Sequence, residues 1–362
     1  MALGGSRVAI IGAGVSGLAC ALELKRNGIS PVVFEKTANP GGDPSYLVLL
    51  LRIFSDYRSS PVRLLKRAYN IDLSSQNELN SIIMKGPAST VSIKGKLGHI
   101  FLKGSKGNSI ENQLASSADV DIRFNSFINI ADIENDFDHI VVATGDHVIP
   151  NGLGLWKQTL QVHTRNAFIL GDFKPGRLTM WLNRTYSNSG YAYMVAAGTK
   201  SADLALNVTD ITMRELDHYW SSFLKGENIK NTIAMTSDTE HLIGYPESSR
   251  FGKLYFIGNA GGMLDNFLGT GIARSIESGI LAARAIIGRC DFNSAMRPYL
   301  SDVRAMGEYR RLLNGLDNEG FDRLLSLIGL PFVKQAIYNN PFFRMRHAAF
   351  IPKLLNAMKG QR

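Results

Sequence analysis

Apolar residues in this chain follow two different periods. Val8, Ala9, Ile10 and Ile11 form an unbroken apolar run closed by Gly12. Leu18, Ala21, Leu22 and Leu24 then recur at helical spacing until Gly28 stops the pattern. Pro31 to Glu35, Phe137 to Gly145 and Leu254 to Ile257 are further buried-strand runs. The last leads through a glycine-rich loop into Ile272, Ile276, Ile280 and Ala283, which fall on one face of a helix. Continuous apolar strands alternating with amphipathic helices predict an α/β domain around a parallel sheet.

Between these runs the period shortens. Arg177 to Ser187, Tyr191 to Ala197 and Asp203 to Thr209 read as antiparallel strands, with Ser189-Gly190 and Gly198 to Ser201 as turns. Residues 45–105 mix short strands with an expected helix near 75–84, followed by a Lys- and Gly-rich stretch from Lys94 to Asn108. Ser109 to Ala118 and Met213 to Lys225 read as helices, and Asp121 to Asn129 as a strand. Beyond residue 290 helix predominates, with breaks expected at Pro298, Pro331, Pro341 and Pro352. The expected organisation is a discontinuous nucleotide-binding domain over 1–45, 100–150 and 235–290. A β-sheet substrate domain over 46–99 and 151–234 interrupts it, and a helical region over 291–362 follows.

Composition narrows the classes. At 362 residues and 45% hydrophobic content the chain can bury a sizeable core. The apolar run Tyr46 to Leu51, closed by Arg52, is far too short to span a membrane, and glycines interrupt the N-terminal stretch where a signal peptide needs a continuous apolar helix. Cys20 and Cys290 give neither a disulfide framework nor a metal spacing, so a cytoplasmic location is expected and no metal site is read. The net charge of +9 is carried by scattered residues without a nucleic-acid motif, so no nucleic-acid partner is expected. Arg344, Arg346, His347, Lys353, Lys359 and Arg362 interleave with apolar residues at the C-terminus. A solvated helix face is the favoured reading of them, with peripheral contact to an anionic membrane as the alternative.

The first chemical motif is Gly12-Ala-Gly-Val-Ser-Gly17 between strand and helix. Gly12 makes the tight turn, Gly14 admits a pyrophosphate, and Gly17 lets helix and strand pack closely. Glu35, ending the next strand, suits both hydroxyls of an adenosine ribose and disfavours a 2′-phosphate. Cys20 lies inside this helix and reads as a small core residue. The signature alone does not separate NAD from FAD. Asn39-Pro-Gly-Gly-Asp43 and the β-rich region after it depart from a simple dehydrogenase, and the two glycines suit a loop over a flavin. Thr144-Gly145 closes a strand at the end where such folds bind ligands.

The second motif runs from Gly258 to Gly279: Gly-Asn-Ala-Gly-Gly-Met-Leu-Asp-Asn-Phe-Leu-Gly-Thr-Gly-Ile-Ala-Arg-Ser-Ile-Glu-Ser-Gly. It resembles the second flavin motif, GDAAGxxxPxxGxGIxxAxxSG, of the geranylgeranyl reductase family, related to the para-hydroxybenzoate hydroxylase type of flavoprotein. Tyr191 to Lys200 resembles the family's GYxWxFP segment, and Phe137 to Gly145 its DYVVxAxG strand. The likeness extends loosely from residue 7 to about 288. It implies an FAD-binding, Rossmann-like domain of the glutathione reductase/hydroxylase type, interrupted by an antiparallel β-sheet domain. By position, Ser16, Gly17 and Glu35 would hold the ADP half of FAD, Lys103 would take the place of an FAD-contacting Arg, and Ile128 an adenine-side backbone contact. Asn259 would face the ribityl or pyrophosphate, and Gly271 and Ile272 would offer N–H groups to the ring. Gly12, Ala13, Gly14, Lys36, Gly42, Thr144, Gly145, Gly258 and Gly269 complete the implied cofactor set. This chain has Asn259 where the family has Asp, and no cysteine in the loop after the acidic strand.

The implied function is an FAD-dependent reductase or dehydrogenase acting on an apolar, isoprenoid or lipid-like substrate. A flavin monooxygenase and a non-catalytic flavin-binding protein remain open alternatives. Trp181, Tyr191 and Tyr193 are candidates for lining a substrate pocket, with sheet core packing as the equal alternative. No catalytic residue is assigned. With no second GxGxxG, electrons are expected from transient NAD(P)H or a carrier protein. An Asn259→Asp substitution is expected to tighten FAD binding if Asn259 faces a hydroxyl, and to loosen it if Asn259 faces another acceptor.

Overall fold

The computed structural model describes residues 5–54, 60–265 and 267–339. The chain divides into two compact units, one of Met1–Ser45, Leu102–Leu160 and Leu242–Gly307, the other of Tyr46–Phe101, Gln161–His241 and Glu308–Arg362. The expected helical region after residue 290 is thus divided between the two units. The basic C-terminal cluster, Pro341 and Pro352 lie outside the described residues.

The first unit is built on a six-stranded sheet. Its order is Arg250–Phe251, Leu254–Phe256, His139–Val142, Val8–Ile11, Val32–Phe34 and Asp121–Arg123. All neighbours are parallel except the first pair. Val8–Ile11 is buried along its whole length, which is why its sequence shows no alternation. The strand expected over 121–129 stops at Arg123 because Asn125 turns into the left-handed region (φ 51°). The chain then follows the end of the neighbouring strand irregularly, Asn125 N–H donating to Thr37 O and Ser126 N–H to Glu35 O.

Two helices cover one another in this unit, Val15–Arg26 and Ile272–Ile286. Their contact face is lined by small residues. A Cβ added at Gly279 would lie 2.1 Å from Ser16 O and 3.0 Å from Cys20 N, so the backbones meet without intervening side chains. At the far end of the pair Arg284 Nε donates to Glu23 Oε1 at 2.9 Å, and that carboxylate is buried. Cys20 is fully buried and its thiol is pushed far up by desolvation, so it is held neutral as a core residue.

An eight-stranded sheet frames the second unit, in the order Thr232–Pro246, Trp156–Leu170, Ser201–Thr209, Tyr191–Ala196, Arg177–Trp181, Asn77–Lys85, Thr90–Lys103 and Tyr46–Leu51. The recorded pairings are antiparallel except that of Asn77–Lys85 with Arg177–Trp181. One face packs Ile169, Trp181, Leu204 and Leu206 against Trp220 and Phe223 of the helix Leu216–Gly226. The other carries Ile82, Met84, Leu178 and Val195, with Leu325 packed on them.

Several expectations are corrected. Residues 77–85 form a strand: a bulge between Leu79 and Ser81 shifts the register, so buried Leu79 and Ile82 acquire the i,i+3 spacing of a helix. The helix of this region is instead Pro61–Tyr69, capped by Ser60 and ended by left-handed Asn70. Ser-Pro and Asn are the signals that reading passed over. Lys94 to Lys103 belongs to one long strand, Thr90–Lys103. Arg177 onward is strand only to Trp181, and Arg184–Ser187 is a helical turn. The strand Thr232–Pro246 had no readable pattern because, at the end of the sheet order, its first half is mostly exposed on both faces. Pro298 lies inside the continuous helix Phe292–Asn314, whereas Pro331 opens a new helix as expected.

The Ser16–Gly279 approach gives a direct test. Gly279→Ala improves helix propensity by about 1 kcal/mol but drives a methyl into backbone, and overpacking at a rigid site costs typically 1–3 kcal/mol or more. A net loss of roughly 2 kcal/mol is expected in thermal or denaturant unfolding.

Candidate dinucleotide site

The carboxyl end of the six-stranded sheet gathers both sequence motifs. Gly12 turns with φ 110°, and a Cβ there would lie 2.4 Å from Ala143 O. A Cβ at Gly17 would meet Gly12 O at 2.1 Å, so these two glycines are required by the protein's own packing. Gly14 is different: its φ is −82° and a Cβ would meet nothing within 4 Å. It is the N-cap of the helix Val15–Arg26, and no side chain caps that end. The helix Ile272–Ile286 likewise starts from Gly271 with no side-chain cap. Three helices elsewhere use Ser60, Ser109 and Asp317 at this position, whereas Leu216–Gly226 also has no side-chain cap. Both site helices therefore keep their first-turn N–H groups and positive ends for an acceptor outside the chain.

Glu35 is buried at the end of its strand. Ala13 N–H donates to Oε2 at 2.8 Å, and Thr37 gives Oε1 both its N–H (2.9 Å) and its hydroxyl (2.8 Å). These bonds fix the carboxylate beside the first glycine loop, while a carboxylate has about four acceptor positions, so one remains for a ligand hydroxyl. Lys36 is exposed next to it. The loop beyond is anchored by Gly41 N–H donating to Ala13 O at 3.1 Å, with Gly41 and Gly42 both left-handed.

The second motif meets the first at Ser16. A Cβ at Gly258 would lie 2.5 Å from Ser16 Oγ, and Gly258 N–H donates to Ser278 Oγ at 3.0 Å. Asn259 is half-buried and donates its side-chain N–H to Gly145 O at 3.2 Å. It thus ties the loop after one strand to the loop after the neighbouring one. Thr144 Oγ1 donates to Asp146 Oδ1 at 3.1 Å, and a Cβ at Gly145 or Gly269 would meet nothing within 4 Å. Gly271 and Ile272 are half-buried at the helix start.

Lys103 is placed by a partner that the sequence reading missed. Its ammonium pairs with Glu111 Oε1 at 3.2 Å, and Glu111 is fully buried. Glu111 Oε2 accepts from Gly104 N–H at 3.0 Å, and a Cβ at Gly41 would lie 2.6 Å from Glu111 Cγ. Glu111 therefore supports the glycine loop from beneath; in the sequence it reads as an ordinary first-turn acid. Ile128 packs on the apolar cluster containing Phe34 and Val142. Asp265 was also missed. Its buried carboxylate accepts from the N–H groups of Phe267 and Leu268 at 2.8 Å, and of Thr270 at 2.7 Å, as well as from the Thr270 hydroxyl. The one sequence signal for it is a carboxylate just before Gly-x-Gly.

The three aromatic candidates separate. Trp181 lies directly across from Ala192, so it shares that residue's face, buried against Phe223 with ring centroids 5.4 Å apart. Tyr191 and Tyr193 point to the opposite face, with ring centroids 6.2 Å apart. Trp181 is a core residue of the second unit. Among the described residues there is no cluster able to hold a metal ion, and no helix is long and apolar enough to cross a membrane.

Residues 10–46 match the model of an NAD(P)-binding Rossmann-like domain. The whole fold recurs in solved structures. A geranylgeranyl bacteriochlorophyll reductase-like protein from Thermoplasma acidophilum is similar with a TM-score of 0.71 and 16% identity, over 90% of this chain and 91% of the other. A flavin-dependent brominase is similar with a TM-score of 0.68 and 13% identity, over 98% and 100%. A flavoprotein/dehydrogenase from Cytophaga hutchinsonii is similar with a TM-score of 0.65 and 15% identity, over 99% and 100%. No curated protein sequence matches the chain.

The chain has the fold of FAD-dependent flavoproteins. Its residues fit that cofactor: two uncapped helix ends suit anionic groups, and the open positions at Gly14, Gly145 and Gly269 leave backbone accessible. Glu35 retains an acceptor position for a ribose hydroxyl.

Two substitutions separate packing from binding. Gly14→Ala is expected to lower stability by about 1 kcal/mol or less while weakening FAD binding. Gly17→Ala is expected to lose roughly 3 kcal/mol of stability through its clash. Unfolding curves with and without FAD measure both. The Asn259 side-chain N–H donates to a carbonyl acceptor, to which an ionised carboxylate cannot donate. Asn259→Asp is expected to weaken FAD binding and destabilise the loop by about 1–3 kcal/mol, read from flavin titration and melting.

Proposed function

We propose that this protein is an FAD-dependent oxidoreductase moving hydride to or from an apolar, isoprenoid or lipid-like substrate. The observation that carries this reading is the meeting of the two glycine motifs at Ser16. It sets two uncapped helix ends and the buried Glu35 at one edge of a parallel sheet. FAD would supply the hydride chemistry when bound. Ser16, Gly17 and Glu35 would hold its ADP half, Asn259 its ribityl chain or pyrophosphate, and the N–H groups of Gly271 and Ile272 its ring. Electrons would come from transient NAD(P)H or a carrier protein.

The second reading is an FAD-dependent monooxygenase of the aromatic-hydroxylase type, supported by an oxygenase among the similar solved structures. Purified protein incubated with FAD and passed over a desalting column tests the first step: a retained yellow flavin spectrum is expected, and colourless protein would overturn both readings. Incorporation of labelled oxygen from O2 into product would favour the second reading over the first.

A further inference from the structure

The six-stranded sheet ends on one side in the short strand Asp121–Arg123, which pairs with Val32–Phe34. No strand lies against its outer edge among the described residues. Arg123 O accepts from Glu35 N–H at 2.9 Å, so Arg123 turns its peptide groups inward, to the neighbouring strand. Peptide groups alternate in direction along a strand, and Ile122 therefore turns its N–H and C=O outward, away from the sheet. Asp121 and Arg123 are exposed and Ile122 is half-buried.

This edge lacks common forms of protection. Neither proline nor lysine, residues with which open edges are often blunted, occurs from Asp119 to Asn129. The two charges on the strand are of opposite sign. Asp121 and Arg123 pair at 3.3 Å, with side chains 60% and 54% exposed. Phe124 and Phe127, 37% and 78% exposed, continue the edge with apolar surface. About Ile122 the sequence is a mirror: Val120 corresponds to Phe124, and Asp121 to its counter-ion Arg123.

We infer that a second copy of this chain adds to this edge, antiparallel, about a two-fold axis at Ile122. In that register Ile122 faces Ile122 of the second copy, and their outward peptide groups exchange N–H···O bonds as a hydrogen-bonded pair. Asp121 then lies directly opposite Arg123 of the second copy, and Arg123 opposite its Asp121, so both cross-strand pairs join opposite charges. Val120 and Phe124 meet as apolar counterparts. An axis at Asp121 or at Arg123 would set like charges against each other and put inward-turned peptide groups at the centre. The charge order thus selects Ile122, and its mirror symmetry is what fits the edge to a copy of itself. Such an isologous contact closes on itself and stops at a dimer, with two six-stranded sheets joined into one. A five-residue edge with two exposed rings buries less than a standard interface of about 1,600 Å². Monomer and dimer should therefore exchange at concentrations on the order of micromolar. The inference does not rest on the oxidoreductase reading.

The test is sedimentation velocity on the full chain from about 1 to about 500 µM. The mean mass is expected to climb from monomer towards dimer across that range. Asp121→Arg alone, or Arg123→Asp alone, sets like charges opposite one another and should weaken dimerisation at least about tenfold. The double variant D121R/R123D restores opposite pairs and should return to within about threefold of the wild-type affinity. Hydrogen exchange of the wild-type stretch 119–125 needs no variant: Ile122 N–H should become protected as concentration rises. A chain that stays monomeric throughout leaves the edge to a different protein and overturns the inference. Dimerisation indifferent to both single variants, or no concentration-dependent protection at 119–125, overturns it as well. Flavin retention measured on the same samples keeps this outcome separate from that of the oxidoreductase reading.

Discussion

The close approach of two helix backbones at Ser16 organises the first unit. Ser16 carries the peptide oxygen that Gly279 must clear and the hydroxyl that Gly258 must clear. Any side chain at Gly279 would push the helix Ile272–Ile286 away from Val15–Arg26. The two uncapped N-termini would then no longer open at the same edge of the sheet. Packing and ligand geometry are here one constraint, because the spacing that closes the core also sets the distance between two positive helix ends.

Around that contact, buried carboxylates do positioning work. Glu35 ties the first glycine loop to the end of its strand, Glu111 supports Gly41, and Asp265 gathers the loop before Gly271. Each accepts bonds from backbone N–H groups, the arrangement that makes a buried carboxylate tolerable and a loop definite. Asn259 adds a neutral bridge between loops. A carboxylate there would face the Gly145 carbonyl oxygen without a proton to share.

Much of the first unit was legible in the sequence because its signals are local. Val8–Ile11 is apolar on both faces, Gly12 and Gly17 follow at fixed spacing, and Ser109 caps its helix as read. The second unit was harder. The bulge in Asn77–Lys85 imitates helical spacing, and the half-exposed strand Thr232–Pro246 lacks any apolar alternation. Pairwise facts were invisible for a different reason. Lys103 with Glu111, and Trp181 on the face opposite Tyr191 and Tyr193, depend on register and on which loop folds beneath which. Tyr193 and Trp181 were grouped because both are aromatic and lie on adjacent strands; the alternation of the pleat divides them.

The Asp265 clamp has a kinetic and entropic side. Loops that order only when a ligand arrives charge the ordering against affinity and slow the final binding step. Here Phe267, Leu268 and Thr270 are already held by one internal carboxylate, so the entry to the helix at Gly271 takes its shape during folding. The empty and loaded proteins should then share one loop conformation. Capture of a ligand at that end becomes a docking event with little rearrangement.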